Sequence, residues 1–154
     1  MLFFFIGSIQ FKKKKDILLV QSFASFFYMI SYFIVGAISG GITELVEMIK
    51  DIVFYNYDKN NKKIPFIILI IFISLLVIIG LFTYQGIYSI APLFINLSYF
   101  ISSYFNNPKY IRLTVLVCAF IWIYYNFTVG TYFIIIGNIF EIISASVSLI
   151  RYKK

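Results

Sequence analysis

Apolar residues fill this chain in long blocks separated by short polar turns, at residues 1–11, 17–36, 37–57, 64–82, 87–105, 111–127 and 131–150. Six of the blocks have the roughly 17 to 25 residues that a helix needs to cross a bilayer. The first does not, because its eleven residues rise only about 16 Å against a hydrocarbon core of about 30 Å. The pattern predicts an all-α membrane protein of seven transmembrane helices, with the first helix truncated. A signal peptide fits the first block poorly, since Lys12, Lys13, Lys14 and Lys15 follow it and no small-residue cleavage site does. Its repeat partner, described next, is longer, so the reading expects a late start that drops about two turns of helix.

The chain repeats itself. Phe33, Val35, Gly36, Ile42, Glu47 and Ile49 recur as Phe127, Val129, Gly130, Ile136, Glu141 and Ile143, always 94 positions on. From Phe11 to Val53 this offset matches 12 of 43 positions, where so skewed a composition would give roughly four by chance. The repeat predicts two triple-helix bundles, residues 1–57 and 87–154, joined across residues 58–86 by a linker and one connector helix at 65–82. That extra crossing matters for orientation. Three helices end on the side opposite their start, so one further crossing makes the halves parallel, related by an axis along the membrane normal. The connector carries no charge and little polarity beyond Ser74, and reads as a lipid-facing element without chemistry.

Charge supplies the topology. With 62% hydrophobic and 12% charged residues, the chain has too little polar surface to coat a soluble globule. Twelve of its thirteen basic residues fall in alternate turns and the tail: Lys12, Lys13, Lys14, Lys15, Lys59, Lys62, Lys63, Lys109, Arg112, Arg151, Lys153 and Lys154. Only Lys50 lies deep within a span, Arg112 standing at the edge of its block. The positive-inside rule then puts the C-terminus in the cytoplasm and the N-terminus outside. The net charge of +7 is thereby a topology signal, and its scatter over separate turns argues against a nucleic-acid partner. The lone Cys118 excludes an intrachain disulfide.

Polar residues inside the blocks mark candidate chemistry. Glu44, Glu47 and Asp51, spaced three and four apart, occupy one face of the third helix, and Tyr55 and Asp58 extend the row. An ionised group facing lipid costs at least about 2.5 kcal/mol, so the stripe should face the bundle interior. Lys50 stands where it can pair with Glu47 along the helix. The matching helix of the second half carries Asn138 and Glu141, with no basic neighbour for Glu141. The second helix has its own polar row, Gln21, Ser25, Tyr28 and Tyr32, whose repeat images are Val115, Ala119, Trp122 and Asn126. Pairing Tyr28 with Trp122, and Tyr32 with Asn126, would wall a small-molecule cavity near the midplane. The same residues also fit a plainer role, in which ion pairs and amides only hold helices together. Gly36, Gly40, Gly41, Gly130 and Gly137 would permit tight turns and close helix contact, and Pro92 would kink the fifth helix.

Catalysis finds no purchase here: there is no histidine, no glycine-rich phosphate loop and no cluster for a metal, so neither an enzyme nor a cofactor is expected.

The sequence Trp122-x-x-x-Asn126-Phe127-x-x-Gly130, ending in Ile150-Arg151, together with Phe33-x-x-Gly36 and Ile49-Lys50, resembles the YgjV-type bacterial inner-membrane proteins. The likeness runs over nearly the whole chain. It implies a plasma-membrane location and a three-one-three helix plan distantly similar to the SWEET, PQ-loop and nicotinamide-riboside transporters, with no assigned activity. Two departures stand out: the family tends to have arginine where Lys50 stands, with fewer acids on that helix, and neither half here has a Pro-Gln pair. The resulting expectation is a carrier of a small polar solute, lined by Glu47, Glu141, Asn126, Asn138, Tyr28 and Trp122 and working by rocking of two bundles. The rival is a non-transporting scaffold or accessory subunit. Lipid is the expected surrounding, and a homo-oligomer stays open.

Overall fold

The computed structural model describes residues 2–34, 38–84, 90–129 and 132–152. Every regular element among them is a helix: α1 Leu2–Ser8, α2 Lys14–Ile34, α3 Ile38–Lys59, α4 Phe66–Phe82, α5 Ile90–Tyr104, α6 Pro108–Val129 and α7 Tyr132–Arg151. Each begins and ends within three residues of an apolar block. The turns at Gly36 and Gly130, the side chain of Tyr32, and Lys153 and Lys154 lie outside the described residues.

Helix ends depart from the apolar blocks where capping chemistry takes over. Helix α6 starts three residues before its block because Pro108 has its φ preset for a first helical turn. Asn107 precedes it, and its Oδ1 accepts the Lys109 N–H at 2.9 Å, which satisfies an orphan donor. Helix α2 likewise runs back into the lysines, with Asp16 in its first turn complementing the positive helix end. At the end of α3 the chain reverses through Asn61, at φ 52°, while Lys62 N–H donates to Tyr57 O at 2.9 Å. Asparagine tolerates that left-handed conformation better than most residues. Pro92, expected as a kink within its helix, stands close to the described start of α5, and Tyr88, whose carbonyl its missing N–H would leave unbonded, lies outside the described residues.

Packing inverts the usual arrangement of a water-soluble protein. Large apolar side chains point outwards, among them Phe23, Phe26, Ile49, Ile67, Ile71, Leu113, Phe120, Ile139 and Ile143, while Gln21, Lys50, Asp51, Ser103, Asn126, Asn138 and Glu141 are buried. Outward apolar faces are stable only against an apolar medium or another protein surface. By length and composition, one helix among the described residues, Pro108–Thr128, suffices to cross a membrane, and Phe66–Phe82 and Ile90–Tyr104 are shorter apolar helices. Helix α3 falls short of that measure because every eighteen-residue stretch of it contains Glu44, Glu47, Lys50 and Asp51.

Helix α4 packs against α3 and α5 through one stripe, Leu69, Phe72 and Leu76. The Phe72 ring meets Phe54 and Phe100 edge-on, with centroids 6.1 and 6.3 Å away. Gly80 permits this approach, since a Cβ there would come within 2.9 Å of Leu93 Cδ1. Gly41 does the same for α2 and α3: a Cβ would sit 2.5 Å from the Phe33 ring.

Helix α1 has only seven residues, and the last four carbonyls of any helix lack intrahelical partners. The Gln10 and Phe11 N–H groups bond Gly7 O and Ser8 O, and side chains from α6 and α7 bond Ile6 O and the carbonyls of the turn that follows. Ser144 Oγ donates to Ile6 O at 2.9 Å, Ser148 Oγ to Ile9 O, and Arg112 to both Ile9 O and Phe11 O. Just beyond the helix, Tyr152 OH donates to Gln10 O at 2.9 Å, and the Gln10 amide donates to Ser144 O and Oγ at 2.8 and 2.7 Å. A helix that is marginal alone is thereby fixed by polar bonds from the far end of the chain.

Residues 94 positions apart share environments. Ser8 and Ser102 are both buried and donate to Phe5 O and Tyr99 O respectively, so donors and acceptors are both repeat equivalents. Ile17 and Ile111 are both fully buried within one apolar cluster. The Phe100 ring of α5 lies 4.7 Å from Lys50 Nζ of α3, and the equivalent positions, Ile6 of α1 and Ser144 of α7, are also in contact. The leading helix of each repeat thus touches the last helix of the other.

Candidate functional site

Between the helices lies a cavity of about 300 Å³. Its wall takes Phe5 from α1, Gln21, Ser25 and Tyr28 from α2, Glu44, Glu47, Lys50 and Asp51 from α3, Asn96, Tyr99 and Ser103 from α5, Trp122 and Asn126 from α6, and Asn138 and Glu141 from α7. Helix α4 supplies no lining residue among those described. All six residues singled out in the sequence, Tyr28, Glu47, Trp122, Asn126, Asn138 and Glu141, stand on this one wall.

One side of the wall is ionic. The i, i+3 spacing brings Lys50 Nζ to 2.7 Å from Glu47 Oε2, and Asp51 Oδ1 lies 3.0 Å from the same nitrogen. Lys50 is almost completely buried, Asp51 nearly so, and the Glu47 side chain keeps 13% of its surface exposed. Burying an ammonium is costly unless it is paired; here two carboxylates and the face of the Phe100 ring surround it. Glu47 Oε1 has no hydrogen-bond partner among the described residues. Glu44, one turn earlier on the same helix, faces the Ser25 hydroxyl.

A second part of the wall is an amide relay. Asn126 Nδ2 donates to Asn138 Oδ1 at 3.1 Å, and Asn138 Nδ2 donates to Glu141 Oε2 at 3.3 Å. All three residues are buried. Glu141 therefore meets an amide where its repeat equivalent, Glu47, meets an ammonium. The cavity as a whole holds four carboxyl groups against one ammonium, so its field favours cations and hydrogen-bond donors. The rest of its wall combines the aromatic rings of Phe5, Tyr28, Tyr99 and Trp122 with the neutral polar groups of Gln21, Ser25, Asn96 and Ser103, and Trp122 is braced edge-on by Tyr125 at 5.5 Å. Among the described residues no group of three or more His, Cys, Asp or Glu side chains is placed to hold a metal ion.

Sequence reasoning missed Phe5, Asn96, Tyr99 and Ser103. The signal for two of them was present, because Phe5 and Tyr99 are themselves 94 positions apart and become a pair once the repeat is carried back into the first block.

An all-helical chain with an apolar exterior and a polar interior cavity has the character of a membrane protein. Over residues 1–154, its whole length, the chain matches the Imp-YgjV family model, described as bacterial inner membrane protein, and it belongs to that family. No curated protein and no solved structure matches it.

Proposed function

We propose that this inner-membrane protein is a carrier or facilitator of a small polar solute, with the interhelical cavity as its binding site. One observation carries the reading: both repeats contribute polar and aromatic side chains to one interhelical cavity, the form of a small-molecule site. Four carboxyl groups favour a cationic or hydroxyl-rich solute, or a coupling proton. In this reading the helices follow a three-one-three plan, as in SWEET-type carriers, with six of them crossing the membrane and a truncated α1 in the place of the seventh, and the two bundles rock about an axis along the membrane normal. The basic turns lie in the cytoplasm, the N-terminus lies outside, and the protein performs no catalysis and binds no nucleic acid.

A second reading has its own support. The cavity's polar groups bond to one another, Lys50 with Glu47 and Asp51 and Asn126 with Asn138 and Glu141, as the glue of a scaffold or accessory subunit would. Flux into liposomes carrying the purified protein, screened with small organic cations and polyols, separates the two. The carrier reading expects flux of at least one solute, altered by Glu141→Gln or Glu47→Gln in protein that remains folded. Flux unchanged by both substitutions removes these residues from the site, and absence of flux with lowered thermal stability in both variants favours the scaffold.

A further inference from the structure

A second recess, of about 360 Å³, opens at the basic end of the molecule, where the α1–α2, α3–α4 and α5–α6 turns meet. The consecutive Lys12, Lys13, Lys14 and Lys15 line it, together with Asp58 and Asn61 from the end of α3 and Asn106 ahead of α6. Three of these lysines are at least partly exposed, as surface lysines usually are. Lys14 is different: it is 3% exposed, and its Nζ has no hydrogen-bond partner among the described residues. A buried ammonium with none of its three donors used is costly. Asp58 is near enough to favour its charge, but burial outweighs that attraction and lowers the Lys14 pKa to about 8. Four ammonium groups against one carboxylate leave the recess strongly cationic, and the amides of Asn61 and Asn106 add neutral donors at its rim.

We propose that this recess is a binding site for a phosphate group, held by Lys14 at its base and by Lys12 and Lys13 above it. A phosphate oxygen would supply the acceptor that Lys14 lacks, in a charge-assisted bond. Two sources carry that chemistry, the headgroup of an anionic phospholipid and a free phosphate anion. Basic recesses between helices at a membrane surface suit lipid headgroups, and the volume admits either.

The test uses the purified protein in dodecyl maltoside, a detergent without phosphate, and in phosphate-free buffer, titrated in separate arms with inorganic phosphate and with short-chain phosphatidylglycerol, and read by thermal shift. At least one arm should saturate. Lys14→Gln should weaken that response about tenfold, the loss expected for one charge-assisted hydrogen bond, while Lys109→Gln, which alters a lysine outside the recess, should not. Preference for phosphatidylglycerol identifies a lipid site, and preference for phosphate identifies a soluble ligand. If Lys14→Gln does not fold, the paired exposed changes Lys12→Gln and Lys13→Gln replace it and should also weaken binding. The proposal is overturned if both arms are flat, if the recess variants bind like the wild type, or if Lys109→Gln weakens binding as much as they do.

Discussion

Phe5 and Tyr99, equivalent residues of the two repeats, meet edge to face with ring centroids 5.9 Å apart. Equivalent residues can touch only where the relation between two halves brings a position onto its own image, so this contact marks the junction of the repeats. Both rings also line the central cavity. The pair should couple: in a double-mutant cycle, Phe5→Ala and Tyr99→Ala should share about 0.5 to 1.5 kcal/mol beyond their separate effects. Additive losses in thermal unfolding in detergent would show that the rings do not act together.

Lys50 should be the most sensitive charged position. Lys50→Met leaves Glu47 and Asp51 without their ammonium in a buried setting, and removing one partner of a buried ion cluster costs about 3 to 5 kcal/mol. The triple change Lys50→Met, Glu47→Gln and Asp51→Asn removes the charges together and should recover most of that loss. Denaturant midpoints of the two variants check this, and a triple variant as weak as the single one would contradict it.

The docking of α1 should depend on residues more than a hundred positions away. Ser148→Ala leaves the buried Ile9 carbonyl with fewer donors, at a cost of about 1 to 2 kcal/mol. Arg112→Ala should cost more, since it strips donors from both Ile9 O and Phe11 O. Hydrogen exchange should speed up selectively across residues 2–11 in both variants, whereas uniform acceleration over the whole chain would point to global destabilisation.

Stability should rise on the alkaline side through Lys14. Its pKa lies at about 8 when folded, against an ordinary value of 10.5, so between those values the unfolded chain binds more protons and stability increases with pH. Below pH 8 the buried charge is a constant penalty, and above 10.5 it is gone. Asp58 opposes the shift and Lys50 reinforces it, while Lys12, Lys13 and Lys15 share the recess. Unfolding measured from pH 7 to 10.5 should show this slope in the wild type and a flatter one in Lys14→Gln.

Much of the architecture was legible because helix formation in this chain follows local hydrophobic blocks. The spacing of Glu44, Glu47 and Asp51 announced one polar face, and the Lys50 to Glu47 pair follows from geometry within a single helix. The repeat extended that legibility to Glu141 and Asn138. What stayed hidden involved partners without periodic signals. Asn96 and Ser103 on α5 look like ordinary polar residues of an apolar helix until the cavity wall is assembled, and Ser144 and Ser148 look like small packing residues until the α1 carbonyls arrive.

The sequence by itself determined the seven helices, the polar stripes they carry and the equivalence of positions 94 apart, because each depends on spacing along the chain and on the preference of apolar surface for an apolar medium. Only the tertiary structure decided that α1 and the turn after it reach across to α7 and α6, that Asn126 hands its hydrogen bond through Asn138 to Glu141, and that Lys14 is buried with no hydrogen-bond partner among the described residues while its neighbours remain at least partly exposed. Those outcomes depend on how segments distant in the chain pack in three dimensions, and no local pattern of residues encodes the choice of partner.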